Sequence, residues 1–212
     1  MTLQEFSIEF DMLYNNISSD QAPGLTEYEK SVFLTQAQNA LVLDLYKGTS
    51  GDSFESTEEV TRYLYSLVKT YTEESLEAEV SFGFNKYTIT PSSDVLFIVY
   101  QSAISDKNRD LLVVPTTHDK LFKDLNNPFK RPNSNKVLAV SDENGILLYS
   151  KDALDKYYFK YLRLPKPIIL ETMNDGLTIG NENTQSDTEL PESLHMQILL
   201  RAVQIAKNVW QS

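Results

Sequence analysis

The sequence predicts an α+β fold, an antiparallel β-barrel or sandwich with a helical layer formed by three N-terminal helices and one C-terminal helix. Residues 1–76 repeat apolar side chains at intervals of three and four, as amphipathic helices do. Residues 77–188 change to the alternation of strands, and residues 189–212 return to helical spacing. Helices and strands are grouped and do not alternate, which excludes a parallel α/β fold. We expect the three segments to form one compact subunit, with the last helix packed against the first ones.

Capping signals predict where helices begin. Thr26 with Glu29, and Ser56 with Glu59, have the spacing of a capping box, in which side chains and backbone satisfy each other's hydrogen bonds. Ile8 lies off the apolar stripe of the first helix, so that helix is wetted unevenly there or contacted by something else. The predicted inner faces, from the first helix to the last, are Leu3, Phe6, Phe10, Leu13 and Ile17; Phe33, Ala37, Leu41 and Leu45; Val60, Leu64, Leu67, Val68 and Tyr71; and Leu194, Ile198, Ala202, Ile205 and Val209.

The β region is predicted to hold six or seven antiparallel strands and one short helix. Asn144 and Gly145 between two apolar runs indicate a hairpin. Thr117 is the expected cap of the short helix, whose apolar residues, Phe122 among them, are expected to turn inward. The expected strands cover residues 95–102, 111–114, 137–140, 146–149 and 157–164, with weaker ones at 168–170 and 177–179. Residues 80–89 are expected to form a strand or a bent hairpin arm.

Composition excludes several classes of site. The chain has 212 residues, a formal net charge of −11, two histidines and no cysteine. Disulfides, thiol nucleophiles and Cys-ligated zinc are therefore excluded, and two histidines cannot form a three-His metal site. The charge is uneven, with balances of −9 over residues 1–60, +4 over 107–136, +3 over 151–166 and −6 over 171–192. These segments are either complementary faces for stacking on copies or partners, or ordinary solvated surfaces.

No catalytic, cofactor-binding or metal-ligating residue is predicted. The chain has neither the glycine-rich phosphate loops of nucleotide-binding proteins nor the Gly-x-Ser-x-Gly elbow of hydrolases. Glu192-x-x-His195 matches part of a di-iron site, but such a site needs a second copy of the motif on a facing helix. His118-Asp119 resembles part of a proton relay, but no nucleophile is positioned by the sequence. Both pairs are interpreted as helix-start residues.

Four residues are candidate interface residues: Phe129, Lys130, Arg131 and Tyr161. The first three lie in the loop Pro128–Pro132, where an aromatic ring and two cations are held between two prolines. The loop either contacts a protein partner or a DNA backbone, which an exposed, stiffened, cationic loop favours, or simply connects a short helix to a strand while Phe129 covers the core. Tyr161 belongs to a tyrosine-rich predicted strand, and tyrosine is enriched in interfaces.

Several blocks of the sequence resemble a conserved virion protein of crAss-like tailed bacteriophages. The resemblance spans nearly the whole chain, and the blocks follow the same order. They are residues 5–17 and 21–35, PTTHD at 115–119, NPFKRP at 127–132, YFKYLRLPKPI at 158–168, and ELPESLH at 189–195 leading to RAV at 201–203.

The resemblance implies a head-to-tail connector, or neck ring, protein without enzymatic activity or cofactor. Such proteins sit below the portal as rings expected to share its twelvefold symmetry, and they join capsid to tail. The implied partners are further copies of the chain, the portal protein or other neck and tail proteins, and genomic DNA that passes through the channel without sequence-specific binding. The implied location is the virion, after synthesis in the host cytoplasm. No apolar run is long enough to predict a membrane span.

Other functions stay open at this point. The chain could be a different capsid or tail accessory protein. A small phage enzyme, such as a wall-degrading hydrolase, would need a carboxylate pair, and none stands out. A DNA-associated protein would use the basic residues 107–136, and its binding would weaken steeply with salt.

Overall fold

The computed structural model describes residues 1–17, 24–47, 62–92, 94–143, 145–174 and 176–211, and the side chains in these ranges except those of residues 16, 17, 210 and 211. It confirms the α+β class. The chain divides into a helical unit, Met1–Leu67 with Leu164–Ser212, and a β unit, Val68–Arg163. In chain order the elements are α1 (Leu3–Ile17), α2 (Glu27–Lys47), β1 (Val68–Glu73), β2 (Glu79–Ser81), β3 (Phe84–Ile89), β4 (Val95–Ser105), β5 (Asp110–Thr116), α3 (His118–Asn126), β6 (Lys136–Asp142), β7 (Gly145–Ser150), β8 (Leu154–Arg163) and α4 (His195–Gln211), with 3-10 turns at Tyr65–Leu67 and Glu192–Leu194.

Capping boxes begin the helices α1 and α2. As predicted, the Thr26 backbone N–H donates to Glu29 Oε2 over 2.8 Å, and the Glu29 N–H donates back to Thr26 Oγ1 over 3.3 Å. Thr2 and Glu5 form an equivalent pair, at 2.7 and 3.3 Å, which was not predicted. The Ser56–Glu59 box predicted for a third helix lies outside the described residues.

The predicted third N-terminal helix, which precedes β1 and is not α3, ends earlier than the periodicity predicts. Residues 62–64 are helical and lead into the 3-10 turn. The prediction that Val68 and Tyr71 continue this helix is wrong, because both lie in β1, opposite Leu162 and Phe159 of β8. The segment is rich in β-branched and aromatic residues, which favour a strand, and the Tyr71 ring stacks on Phe159 with centroids 5.0 Å apart.

In the helical unit, α4 packs against both α1 and α2. Phe6 and Phe10 of α1 are fully buried, as predicted, whereas Ile8 is 52% exposed. No described helix is long and apolar enough to cross a lipid bilayer.

The buried face of α2 differs from its prediction, because part of it is polar. Phe33 and Leu45 are only half-buried, whereas Ser31, Thr35 and Gln38 are buried. These three side chains hold the backbone of residues 166–170: Leu170 N donates to Ser31 Oγ (3.0 Å), Ile168 N donates to Thr35 Oγ1 (3.1 Å), and Gln38 Nε2 donates to Lys166 O (2.7 Å). The weak strands predicted at 168–170 and 177–179 are absent as ladders and leave only the isolated bridges Ile169–Ser186 and Ile179–Glu182.

In the described residues, eight strands form one curled sheet in the order β1-β8-β4-β5-β6-β7-β3-β2. Neighbouring strands are antiparallel except β5 and β6, which are parallel. This exception to the predicted antiparallel pairing follows from α3, because parallel neighbours need a long crossover connection and a helix usually supplies it.

The β unit has a core on each face of its sheet. One core contains Tyr87, Tyr157 and Phe159, and the other contains Leu138, Tyr149 and Leu125 of α3. Successive residues of β6 and β7 alternate between the two cores, as the period of a strand requires.

The β6–β7 hairpin is present where Asn-Gly predicted it, with Asp142 opposite Gly145. Gly145 has φ +132°, and a Cβ at this position would lie 2.0 Å from the carbonyl oxygen of Ile89. Only glycine fits such a backbone conformation and such a close approach.

Candidate partner-binding surface

Three phenylalanines of the β unit form an exposed aromatic surface. Phe82 is 64% exposed, Phe122 is 67% exposed and Phe129 is 91% exposed. The rings of Phe82 and Phe122 meet edge to face, with centroids 6.4 Å apart. Phe122 lines two depressions, one shared with Phe82 and Arg131 and the other with Lys123 and Phe129. We call these three rings, with Lys123, Lys130 and Arg131, the aromatic surface.

Asn127 holds the loop that presents Phe129. Its side-chain oxygen accepts a hydrogen bond from the Phe129 N–H at 2.9 Å. Its carbonyl oxygen accepts from the N–H groups of Lys130 and Arg131 at 3.0 and 2.9 Å. An Asx turn of this kind fixes the backbone locally, so the Phe129 ring projects from an ordered turn at the end of α3.

Phe82 is held in an unfavourable backbone conformation. It has φ +53° and is followed by Gly83 with φ +79°, in the two-residue connection between β2 and β3. Two positive φ values are typical of a type I′ turn, where Asn and Gly are preferred. For a bulky side chain this conformation costs about 1–3 kcal/mol. Because its ring is mostly exposed, burial within the chain offsets little of that cost.

The cations around the rings differ in their pairing. Lys130 Nζ lies 3.7 Å from Asp124 Oδ1, an ion pair. Arg131 is exposed and has no ion-pair partner among the described residues. Phe129, Lys130 and Arg131, three of the predicted interface residues, therefore lie together with Phe82 and Phe122 on one exposed surface.

Tyr161, the fourth candidate, is placed in the interior of the β unit. It is 5% exposed and packs beside Phe159, with ring centroids 5.6 Å apart. Its hydroxyl donates to Asp94, with both carboxylate oxygens within 3.4 Å. Tyr161 shares a face of β8 with Tyr157 and Phe159, and all three side chains belong to the same one of the two cores. Burial raises the pKa of the Tyr157 hydroxyl well above its ordinary range.

The two histidines have structural contacts. His195 is 5% exposed, and its Nε2 lies 3.0 Å from the Leu190 carbonyl oxygen, to which it must donate. His118 Nε2 lies 2.8 Å from the Ser141 carbonyl oxygen. Within the described ranges, no three His, Asp or Glu side chains are grouped as a metal site requires.

The net charge of the chain resides in one unit. The helical unit contains 17 acidic and 6 basic residues, and the β unit contains 13 of each. The helical unit therefore carries the whole formal charge of −11, and the β unit, which holds the aromatic surface, is neutral.

Sequence reasoning missed two rings of the aromatic surface. The prediction for residues 80–89, a strand or a bent hairpin arm, does not place Phe82 at a turn, and the prediction for the short helix turns Phe122 inward. Alternation and helical spacing do not distinguish an inner from an outer face here. The dipeptide Phe82-Gly83 was an available signal, since a glycine at that place indicates a tight turn. The prediction that Phe122 turns inward is wrong, because Leu121 and Leu125 already fill the face that α3 turns to the sheet.

The chain is similar to known proteins along nearly its whole length. A family model described as phage tail ring protein 3/4 matches residues 1–211. The chain is 39% identical to "Ring protein 3" of Bacteroides phage crAss001, over 97% of this chain and 95% of that protein. It is 30% identical to "Ring protein 4/5" of the same phage, over 100% of this chain and 94% of that protein. The predicted resemblance is confirmed, and these matches support a ring structural protein of the virion. The chain belongs to the phage tail ring protein 3/4 family.

Proposed function

We propose that this chain assembles into a homo-oligomeric ring in the head-to-tail connector of a crAss-like phage, below the portal, where it joins capsid to tail around the DNA channel. The observation that carries the proposal is its similarity, along its whole length, to two proteins named as rings. The role is structural and not catalytic. The ring follows the portal's twelvefold symmetry, and the portal or other neck and tail proteins are its neighbours.

The division of charge supports a ring. A ring is built from heterologous contacts, in which two different surfaces of each copy meet. A subunit with one strongly acidic unit and one neutral unit that carries an exposed basic and aromatic surface has two such different surfaces. Electrostatic complementarity of this kind selects the orientation of the contact more than it adds to affinity.

The acidic unit also suits a channel through which DNA passes. A lining of carboxylates repels phosphates, so DNA moves past without binding. The chain would be made in the host cytoplasm and then incorporated into the virion. If the acidic residues of α1 and α2 lie outside the ring and the basic residues 107–136 line the channel, this explanation of DNA passage fails.

Native mass spectrometry of the purified chain tests the ring. We expect a closed oligomer with a single stoichiometry, and loss of that oligomer in the double variant Phe129→Ala with Arg131→Glu. Lys151→Glu, at an exposed lysine of the same unit outside the aromatic surface, is the matched control and should assemble normally. A chain that stays monomeric and does not copurify with virions would contradict the proposal.

The basic residues favour one second candidate, a DNA-associated protein. Lys120 and Lys123 are exposed on α3, and Lys130 and Arg131 are exposed in the loop that follows it. Such a protein would bind duplex DNA at low salt, and the affinity would fall steeply as salt is raised, by release of counterions. The ring proposal predicts no measurable binding by the assembled chain at low salt.

A further inference from the structure

We infer that the aromatic surface of one copy receives the exposed face of α1 from the next copy in the ring. This contact deepens the proposed function and rests on it, because it names the two surfaces that close the ring.

The exposed face of α1 is an apolar stripe bordered by acids. Glu5, Ile8, Met12 and Asn15 are spaced by three, four and three residues, so they share one side of the helix. Ile8 is 52% exposed and Met12 is 59% exposed, although the opposite side of the same helix is fully buried at Phe6 and Phe10. Ile8 and Met12 are one turn apart on the exposed side, so they form one small apolar patch that is available to a partner.

The charges of the two surfaces are complementary. The stripe carries Glu5, with Glu9 beside it, in a unit whose net charge is −11. The aromatic surface carries Lys123 and Arg131, and Arg131 has no ion-pair partner among the described residues. Asp11, the third acid of α1, is already paired with Lys30 at 2.6 Å. Glu5, which caps the Thr2 N–H, and Glu9 have no ion-pair partner in the part of the chain that the structure describes, so these two acids remain for a partner.

The arrangement of the two surfaces is also compatible. Side chains four residues apart on a helix are separated by about 5–6 Å at Cβ, so Ile8 and Met12 are neighbours. The two depressions of the aromatic surface are neighbours too, because Phe122 and Asn126 line both of them. Ile8 and Met12 could each enter one depression, in the way amphipathic helices dock into apolar grooves.

Cross-linking between two variants tests this contact, because the chain has no cysteine of its own. One variant carries Met12→Cys and the other carries Phe129→Cys. They are mixed together with wild-type chain, whose unchanged contacts hold the ring closed, then assembled into rings and treated with a short bismaleimide. Since each variant chain has one cysteine, a link between the two different variants must join two copies. We expect a cross-linked dimer in the mixture and much less of it in either variant alone.

The matched control replaces Met12→Cys by Leu200→Cys. Leu200 is 51% exposed on α4, similar to Met12 in accessibility, and lies outside the proposed contact. We expect at least a tenfold lower yield of cross-linked dimer with Phe129→Cys. A second test reverses charges: Glu5→Lys with Glu9→Lys should weaken assembly, as should Lys123→Glu with Arg131→Glu, and a mixture of the two double variants should recover part of it.

Two results would be decisive against the contact. Rings that form but give no Met12–Phe129 link, or as much Leu200–Phe129 link, would overturn the inference and leave the ring itself intact, with a neighbouring ring protein as the occupant of the aromatic surface. A wild-type chain that forms no oligomer at all would count first against the proposed function, and the contact would fall with it.

Discussion

The Nζ atom of Lys30, a residue of α2 that is only 3% exposed, lies 2.6 Å from Oδ2 of Asp11 in α1. The same ammonium group contacts Glu27 Oε1 at 2.9 Å and donates to Ser7 Oγ at 3.2 Å. A buried lysine is tolerated only when it is paired and hydrogen-bonded, and here all its contacts are with α1 and the first turn of α2. This cluster fixes how the two N-terminal helices pack.

Replacing Lys30 should therefore destabilise the helical unit. In Lys30→Met the two carboxylates lose their partner, and since both are partly exposed we expect a loss on the order of 2 kcal/mol. For a chain of this size the melting temperature should fall by roughly 4–8 °C, as measured by thermal unfolding. Lys47→Met, at an exposed lysine of the same helix, should change stability by less than about 1 kcal/mol.

The direction in which the pKa of Lys30 is shifted determines how its contribution to stability depends on pH. Burial alone would lower the pKa of Lys30, but the hydrogen bonds and charges of Asp11 and Glu27 outweigh burial and raise it. A raised folded pKa means that the contribution is fully present below the ordinary lysine pKa. It is lost only as the pH rises through the raised value. An equal effect of Lys30→Met at pH 6 and pH 8 is expected, and a strong difference would contradict this account.

The capping box of α2 should lose its charged component in acid. Hydrogen bonds from the Thr26 backbone and side chain lower the pKa of Glu29. A lowered pKa stabilises the fold above the ordinary value, about 4.3, and the benefit disappears as the pH falls through the lowered one. At pH 7 the free energy of unfolding of the wild type should exceed that of Glu29→Gln by on the order of 0.5 kcal/mol, a small difference because the exposed carboxylate is screened. Urea unfolding at lower pH should show this difference disappear. Thr26→Ala, which removes the cap itself, should cost about 1 kcal/mol at pH 7.

Gly145 should not accept a side chain. Gly145→Ala places Cβ 2.0 Å from the Ile89 carbonyl oxygen of β3, so either the hairpin or β3 must move. We expect a loss of at least about 3 kcal/mol or failure to fold, measured by urea unfolding and soluble yield. Gly83→Ala is the control, because Gly83 has a positive φ but no atom within 4 Å of the added Cβ. It should cost only about 1–2 kcal/mol.

Phe82 should show opposite effects on folding and assembly. Phe82→Asn gives an Asn-Gly pair at a two-residue turn, the preferred type I′ sequence, and removes a strain of about 1 kcal/mol or more. We expect the isolated subunit to melt at the same or a higher temperature. The protein concentration needed for ring formation should rise at least tenfold. Val80→Asn, on the same hairpin and 78% exposed, should leave assembly unchanged. Normal assembly of Phe82→Asn would remove Phe82 from the interface.

The sequence was informative where one physical signal dominates. The Thr26–Glu29 box and the Asn-Gly hairpin each depend on neighbouring residues, and both appear as predicted. For Phe129 the sequence left two alternatives, an exposed contact loop and a ring that covers the core, and the structure shows the ring 91% exposed.

The sequence misled where distant partners decide. The inner face of α2 could not be read from apolar spacing, since Ser31, Thr35 and Gln38 are buried against a segment more than 120 residues away. Tyr71 fitted a helical stripe but pairs with Phe159 of β8. The aromatic surface joins Phe82 to Phe122 through folding of the sheet, which no local pattern encodes.

The most direct test of the central claim is a reconstruction of the phage particle that contains this chain. We expect a closed ring of copies on the tail axis, between capsid and tail. Within that ring, Phe129 of each copy should contact α1 of its neighbour. Copies placed outside any axial ring, or a particle in which the connector lacks this chain, would contradict the account.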